Sequence, residues 1–226
     1  MGATAADIGW KHRASAPRSA SEIAAALREA REYTLGLYAH LTPGQQRFPR
    51  IATVNPPRWE IGHVGWFQEL WCRRYDAADP RGTRTPSRLA GADAWFDSSR
   101  VAHDTRWDLP LPSWDGIHSY LAATLEDTLA SLERSSDGQR YFFELALYHE
   151  DMHGEALLMT LHMLGLPPPA RMRKRSGVSR AHGDVDVAGG AFEMGASPDE
   201  WVRRFVFDNE KHAHPVRVAP FAISRR

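Results

Sequence analysis

Two histidines four residues apart are the first candidates for chemistry. His149 and His153 lie in the stretch YHEDMHGEALLM, which contains the pattern H-E-x-x-H of zinc peptidases. On a helix, two such imidazoles point the same way, about 40° apart in azimuth and about 6 Å apart along the axis. That spacing allows both rings to bind one divalent ion. Because the sequence contains 11 histidines, the pair is also compatible with two polar residues at the edge of a core.

The third metal ligand that a zinc peptidase needs is missing from the sequence. One peptidase class places Gly and His where this chain has Ala156 and Met159. Another class uses a glutamate further along the chain, and no glutamate occurs between Ala156 and Phe192. A peptidase is therefore disfavoured, and the histidine pair needs a different partner.

The better third ligand is His63, which lies between Trp59 and Phe67 on the apolar face of a predicted helix. An imidazole there needs a hydrogen-bonding partner or a metal, because an unpaired polar group is costly to bury. Metal sites in helical bundles are built from side chains on facing helices. His63, His149 and His153 would form a three-nitrogen set with open coordination positions, for iron as well as for zinc. The alternative is a core histidine with an ordinary partner.

Four helices must position these histidines. Apolar residues recur at helical spacing in four stretches, which turn and proline signals separate. Ser19 and Glu22 can form a capping box at the first stretch, and Ser113 can cap the third. Four amphipathic helices favour an antiparallel four-helix bundle. The predicted helices are 21–41, Asn55 to about Tyr75, Ser113 through Leu132, and about 138–165.

The composition of successive segments predicts the domain organisation. Residues 1–18 are expected to be disordered, and the predicted bundle covers 19–169 with a long aperiodic loop over 76–112. A loop of that length inside a compact domain is usually functional. Residues 170–184 are predicted to be a linker. Residues 185–226 contain short β-type runs, too few to close a core alone, and predict the incomplete start of a second domain in an α+β protein.

Composition and charge exclude several classes of function. The 28 basic side chains balance 28 acidic ones, so charge gives no reason to expect nucleic acid or an anionic membrane as a partner. No apolar run approaches the ~20 residues that span a bilayer, and the N-terminus lacks the apolar stretch of a secretory signal. The single Cys72 excludes an intramolecular disulfide and fits a reducing compartment. A cytoplasmic protein is expected.

Motifs from two parts of the chain resemble one enzyme family. RWEIGHVGWFQELW and LALYHEDMHGEALLMTLHMLG resemble the DinB-like helical domain of the ergothioneine-biosynthesis sulfoxide synthases. VAGGAFEMGA and FVFDNEKHAHPVRVAPFAISR resemble the opening of the domain that follows it in that family, a mixed α+β domain like formylglycine-generating enzyme and the C-type lectins. Two motifs from two domains, in the family's order, cover about 55–225.

The resemblance implies a non-heme iron(II) enzyme whose metal ligands match His63, His149 and His153. Such enzymes use O2 to join a sulfur donor to the imidazole carbon of hercynine, the trimethylated betaine of histidine. The implied cofactor is Fe(2+), and the implied partners are hercynine, a chalcogen donor and O2. The family's catalytic tyrosine is expected beyond Arg226, so the catalytic residue stays unassigned.

One segment points to a branch of this family. The stretch DAWFDSSRVAHDTRWDLPLPSW, Asp93 to Trp114, is similar to the selenoneine synthases, which attach selenium from a selenosugar to hercynine. Met152 is a departure from the ergothioneine enzymes, which often carry there a glutamine that helps to hold hercynine. The resemblance therefore favours a selenoneine synthase. A sulfoxide synthase that uses a thiol such as γ-glutamylcysteine is the alternative.

Candidate substrate contacts lie in that segment and beside the second ligand of the pair. A sugar would be held by hydrogen bonds and an aromatic face, whereas γ-glutamylcysteine requires arginines that bind carboxylates. The segment offers groups for either donor. The alternative to a substrate-binding role is that the segment only packs over the end of the bundle. The candidates are Arg100, His103, Asp104, Arg106, Trp107 and Met152.

Three acidic residues are candidates to hold the outer nitrogens of the ligand rings. They are Glu150, Asp151 and Glu155, and the alternative for each is a solvated helix face. Two other function classes also remain open. One is a zinc-dependent thiol transferase or isomerase that uses the same three histidines, and the other is a non-catalytic binding module with a vestigial metal site.

Overall fold

The computed structural model describes residues 18–169 and 183–225, apart from 77, 80, 81, 137 and 138. The described residues form two compact units, one within Ser19–Met172 and the other within Arg173–Arg226. The predicted disordered N-terminus, except Arg18, and most of the predicted linker lie outside the described residues. The described chain is helix-rich, with small antiparallel sheets, so the α+β class is confirmed.

The larger unit contains the four long helices that the sequence predicts, with ends shifted by a few residues. Ser19 and Glu22 form the predicted capping box at the first of them, and Ser113 caps the third by accepting from the backbone N–H of Gly116. A fifth, short helix, α3, lies in the segment predicted to be a loop. The helices are α1 (Ala20–Ala39), α2 (Pro57–Glu69), α3 (Ala92–Phe96), α4 (Trp114–Glu133) and α5 (Tyr141–Met163).

The helix α2 is the centre of this unit, and almost all of its residues are buried. It packs against both α4 and α5, while α1 packs against α5 and α4. At its end the helix widens into a π-helical turn over Leu70–Arg74, where the N–H of Tyr75 donates to the carbonyl of Leu70. Such turns often lie at functional sites. The helix that carries His63 therefore has packed neighbours on nearly every side.

The segment 76–112 is not the irregular loop that its lack of period predicts. Besides α3, it contains a 3₁₀ helix over His103–Asp108. Asp93 fastens α3 to α2, because its carboxylate accepts from the Trp66 indole at 2.7 Å and from both terminal nitrogens of Arg74. Helices of five and six residues are too short to show a hydrophobic period, which explains why the sequence pattern missed them.

Phe96, the last residue of α3, fits against α2 only because residue 62 is a glycine. The ring of Phe96 is fully buried. A Cβ atom at Gly62 would lie 2.3 Å from two of its ring carbons. The backbone carbonyl of Phe96 also holds His63. The close approach of Phe96 to Gly62 therefore helps to set the position of a candidate ligand.

A buried ion pair connects α1 to α5 directly beside the histidine pair. Two guanidinium nitrogens of Arg31 donate to the two carboxylate oxygens of Glu150, at 2.8 and 3.1 Å. The two side chains are only 5% and 1% exposed. The remaining guanidinium donors reach the backbone carbonyl of Leu121 and the side-chain oxygen of Gln68. Both charges are satisfied by hydrogen bonds, which is the condition under which a buried pair is tolerated.

The smaller unit consists of short strands and helical turns. Strand β1 (Asp184–Val187) pairs with β4 (Phe221–Ser224), and β2 (Gly190–Met194) pairs with β3 (His214–Val218), both antiparallel. The helix α6 (Pro198–Arg203) follows β2 and begins with a capping box from Ser197. Within the described part of the chain, no helix has the length and apolar run that a bilayer crossing requires.

We expect Arg31→Met to lower the free energy of unfolding by about 3–5 kcal/mol, because it leaves the Glu150 carboxylate buried without its partner. Arg50→Met is the matched control, since Arg50 pairs with Asp108 at a surface where the two side chains are 56% and 67% exposed. That change should cost less than about 1 kcal/mol. Urea unfolding of the metal-free proteins gives both values, and equal losses would contradict the buried network.

Gly62→Ala should lower the free energy of unfolding by about 1–3 kcal/mol, because the added methyl group overlaps the buried ring of Phe96. Gly36→Ala is the control at an exposed site of α1, where a Cβ atom has no neighbour within 4 Å. There the change should raise stability by up to about 1 kcal/mol, through helix propensity alone. A Gly62→Ala protein as stable as the parent would contradict the tight contact.

Candidate metal centre

Three histidine nitrogens converge between α2 and α5. His63 comes from the middle of α2, and His149 and His153 come from successive turns of α5. One ring nitrogen from each lies within 4.8 Å of the others, and the Nε2 atoms of His149 and His153 are 3.1 Å apart. His63 is buried, whereas the other two rings are half-buried. The structure therefore brings together the three residues that the sequence singles out.

The orientation of His63 is fixed by a backbone carbonyl. Its Nδ1 lies 2.7 Å from the carbonyl oxygen of Phe96. Since a carbonyl only accepts, Nδ1 must carry the proton, and the lone pair of the neutral ring is on Nε2. The ring thus directs an unprotonated nitrogen away from the backbone and towards the other two histidines.

The orientation of His153 is fixed by Glu60, one turn before His63 on α2. The Nδ1 of His153 lies 2.5 Å from Oε1 of Glu60, and the other carboxylate oxygen accepts from the side-chain amide of Asn55 at 2.6 Å. A carboxylate behind a metal-binding imidazole fixes its tautomer and makes it a stronger ligand. His153 consequently also presents Nε2 to the centre.

Glu60 and Asn55 were missed by the sequence analysis, which looked for this carboxylate on α5. Of its three candidates, Glu150 is paired with Arg31, and Asp151 and Glu155 lie on the exposed face of α5. A usable signal was present in Glu60, an acidic residue three positions before His63 on the same helix. At that spacing two side chains share a helix face.

Aromatic rings close the inner side of the site. The Trp59 indole stacks on the imidazole of His63 with centroids 4.8 Å apart and planes 8° apart. Phe67 stacks on His149 at 3.6 Å and 6°. These rings restrict the imidazoles to one orientation each and keep water away from their faces. In such surroundings, electrostatic interactions are stronger than in water.

The surroundings keep at least two of the rings neutral near pH 7. Burial, followed by the charge of His153, lowers the pKa of His63 to about 4, although the Phe96 carbonyl and Glu60 act in the opposite direction. Burial also lowers the pKa of His149, assisted by the charges of the other two rings. Burial alone would raise the pKa of Glu60, but its hydrogen bond from His153 prevails and lowers it. Neutral imidazoles and an ionised carboxylate are the forms that metal binding requires.

The histidine pair of α5 has the nitrogen spacing that a divalent cation needs. Metal–nitrogen bonds of about 2.1 Å place neighbouring ligand nitrogens about 3.0–3.4 Å apart, and the two Nε2 atoms of α5 are 3.1 Å apart. The buried Nδ1 of His149 has no hydrogen-bond partner among the described residues. His149 is therefore not held from its outer side: its Nε2 either carries the proton and donates to Nε2 of His153, or offers a lone pair to a cation.

The remaining candidates from the sequence differ in how exposed they are and in the contacts they make. Met152 lies on α5 next to His153 with 48% of its surface exposed. Arg100 is exposed and pairs with Asp97, while His103 is half-buried at the start of the 3₁₀ helix. Trp107 packs against the main core, and Asp104 is exposed. Arg106 is buried, and its hydrogen bonds are made inside the unit.

Together these features define a helical protein with a histidine site, of a kind suited to a metal, between two packed helices. The chain belongs to the DinB superfamily, which matches residues 26–161 and so includes α2, α5 and all three histidines. The match covers most of the larger unit.

Curated relatives extend this result. A hercynine oxygenase of Mycolicibacterium smegmatis is 31% identical over 183 residues, covering 76% of this chain and 40% of that protein. A hercynine oxygenase of Mycolicibacterium thermoresistibile is 30% identical over 212 residues, covering 91% of this chain and 45% of that protein. A third, from Mycobacterium tuberculosis, is 28% identical over 176 residues. The chain thus spans less than half the length of these relatives.

We expect His149→Ala to reduce the affinity for Fe(II) or Co(II) by more than about 100-fold, since losing an outer hydrogen-bond partner already costs 10- to 100-fold. His162→Ala is the matched control, because His162 is exposed near the end of the same helix. Anaerobic titration with metal analysis measures both proteins, and circular dichroism checks that they fold. Full metal uptake by the His149→Ala protein would contradict the ligand set.

Proposed function

We propose that this chain carries the metal centre of an O2-dependent enzyme that acts on hercynine, with iron(II) held by His63, His149 and His153. The observation that carries the proposal is the convergence of three imidazole nitrogens from two helices, in a chain similar to hercynine oxygenases. A set of three neutral nitrogens, without a carboxylate ligand, leaves coordination positions open for reactants.

The residues of the chain would divide the work at this centre. The three Nε2 atoms would hold the ion, while Phe96 and Glu60 keep two of the rings in the ligating tautomer. The chemistry that iron(II) supplies there is one-electron transfer towards O2 together with Lewis acidity. The half-buried side, next to Met152, is where hercynine and its reaction partner would be gathered. Holding reactants together in this way replaces a collision by an intramolecular step.

For the donor, we propose a selenosugar, so that the bond formed is carbon–selenium, as in selenoneine biosynthesis. The resemblance of residues 93–114 to selenoneine synthases supports this donor, and so does the burial of Arg106. That segment contains two arginines, and the hydrogen bonds of Arg106 are made inside the protein. Arg100, already paired with Asp97, is then the one that could bind a carboxylate. γ-Glutamylcysteine carries two carboxylates, so this segment suits a sugar better. The use of γ-glutamylcysteine, as in a sulfoxide synthase of ergothioneine biosynthesis, is the alternative.

A zinc-dependent thiol transferase is the second candidate function. The donor set favours it to the same degree, because neutral imidazoles bind zinc as readily as iron. It would use the same three histidines without any change of redox state, and therefore without O2.

The finer organisation is also part of the proposal. We propose that residues 19–169 are a DinB-like four-helix bundle and that residues 170–184 link it to the start of a formylglycine-generating-enzyme-like domain at 185–226. A cytoplasmic location remains a prediction from the single cysteine.

The proposal is tested with the chain purified without oxygen. We expect iron after reconstitution, binding of hercynine in preference to histidine, and O2 consumption only when hercynine and a donor are both present. Products from a selenosugar and from γ-glutamylcysteine are weighed separately by mass spectrometry. The His162→Ala protein serves as the control and should behave like the parent.

Each alternative has its own result in the same experiment. Preference for γ-glutamylcysteine would replace selenium by sulfur while leaving the hercynine enzyme intact. Zinc with thiol turnover in the absence of O2 would favour the thiol transferase. A metal-loaded chain to which hercynine does not bind would contradict the proposed function itself.

A further inference from the structure

Arg106 is a buried cation whose hydrogen bonds, among the described residues, go to neutral oxygen acceptors. It is 9% exposed and belongs to the 3₁₀ helix over His103–Asp108. Its guanidinium donates to the side-chain oxygen of Asn55 at 2.9 Å and to the carbonyl of Val101 at 3.2 and 3.4 Å. The Cζ atom of the same group lies over the Trp59 indole, 3.8 Å from the ring centroid. A charge that is costly to bury is thus held by hydrogen bonds to neutral oxygens and by an aromatic ring, and the Glu60 carboxylate stabilises it electrostatically.

The first contact leads to His153. Asn55 accepts from Arg106 through its side-chain oxygen and donates through its nitrogen to Glu60 at 2.6 Å. Glu60 in turn accepts from the Nδ1 of His153. The arginine therefore fixes which way the amide of Asn55 points, and that amide orients the carboxylate behind His153. In a buried chain of this kind, each hydrogen bond polarises the next.

The second contact leads to His63. The indole of Trp59 contacts both the guanidinium of Arg106 and the imidazole of His63. Its indole N–H is fixed by the carbonyl of Trp95 at 2.6 Å, so the ring cannot turn. Trp59 therefore links Arg106 to His63, since the imidazole stacks on the same indole that the guanidinium contacts.

We propose that Arg106 is a positioning residue that fixes the orientation of two ligands at once, His153 through Asn55 and Glu60, and His63 through Trp59. The inference rests on the metal centre proposed above, which it deepens. Arg106 contacts no ligand itself, so its effect on the metal is indirect.

The geometry requires an arginine at this position. A planar guanidinium can stack on an indole while its edge donates to two different acceptors, whereas an ammonium is a point charge on a flexible stem. Lysine at this position would retain the charge but could not hold the Asn55 amide and the Val101 carbonyl while stacking. Arg106→Lys should therefore rescue the function only in part.

The test compares Arg106→Met and Arg106→Lys with Arg50→Met. Arg50 contacts the same 3₁₀ helix from outside, through the carbonyl of Asp104 and the carboxylate of Asp108. Two properties are measured for each protein. One is the affinity and visible spectrum of the Co(II) form, and the other is the tautomer of the histidine rings in the metal-free form, from nitrogen-15 NMR.

Arg106→Met should weaken Co(II) binding by about 10- to 100-fold, alter the Co(II) spectrum, and reduce the fraction of His153 and His63 with the proton on Nδ1. Arg106→Lys should lie between it and the parent, and Arg50→Met should match the parent in both measurements. An Arg106→Met protein that matches the parent in spectrum, affinity and tautomer would overturn the inference.

Two arrangements keep the test decisive. If Arg106→Met does not fold, Asn55→Ala cuts the link to Glu60 while the stack on Trp59 remains, and it should alter the tautomer of His153 but not that of His63. Equal changes at both rings, or at neither, would overturn the inference. If the parent chain binds no Co(II) or iron, the proposed function fails, and the ring tautomers still decide whether Arg106 orients the two histidines.

Discussion

His63 and His153 each donate from Nδ1 to an oxygen acceptor, and this leaves Nε2 of both rings unprotonated, with that of His153 lying 3.1 Å from Nε2 of His149. Without a metal, the Nε2 of His149 can carry a proton and donate it to the Nε2 of His153, and a metal ion would take the place of that proton. Two of the three outer nitrogens are held, whereas that of His149 has no hydrogen-bond partner among the described residues. The two acceptors are the backbone carbonyl of Phe96, at the end of the short helix α3, and the carboxylate of Glu60, on α2.

The rotation of α5 about its axis follows from a second buried interaction. Successive residues on a helix are about 100° apart, so Glu150 and His149 face different neighbours. Glu150 is turned towards Arg31 of α1, which leaves His149 and His153 turned towards α2. Because breaking the ion pair is costly, it restricts the rotation of α5 about its axis. The geometry of the histidine pair is therefore tied to the contact between α1 and α5.

The sequence predicted the parts of this site that depend on local spacing. Helical periodicity located the four long helices, Ser19 and Ser113 located two of their starts, and the spacing of four placed His149 and His153 together. His63 followed from its place on an apolar face. The partners of the outer nitrogens did not follow, because the contact of Glu60 with His153 joins residues 93 apart and depends on the register of two packed helices. The carbonyl of Phe96 carries no side-chain signal at all.

The segment between α2 and α4 contacts the candidate ligand His63 and two residues that support the site. It supplies the Phe96 carbonyl to His63, the Trp95 carbonyl to Trp59, and the guanidinium of Arg106 to both Trp59 and Asn55. A change of sequence in this segment can therefore alter the orientation of the histidines without any contact between the segment and a substrate. Under the proposed function, residues 93–114 then need not all contact the donor. Arg106, in the role proposed above, would act on the geometry of the candidate metal ligands, and a search for donor contacts alone would overlook it.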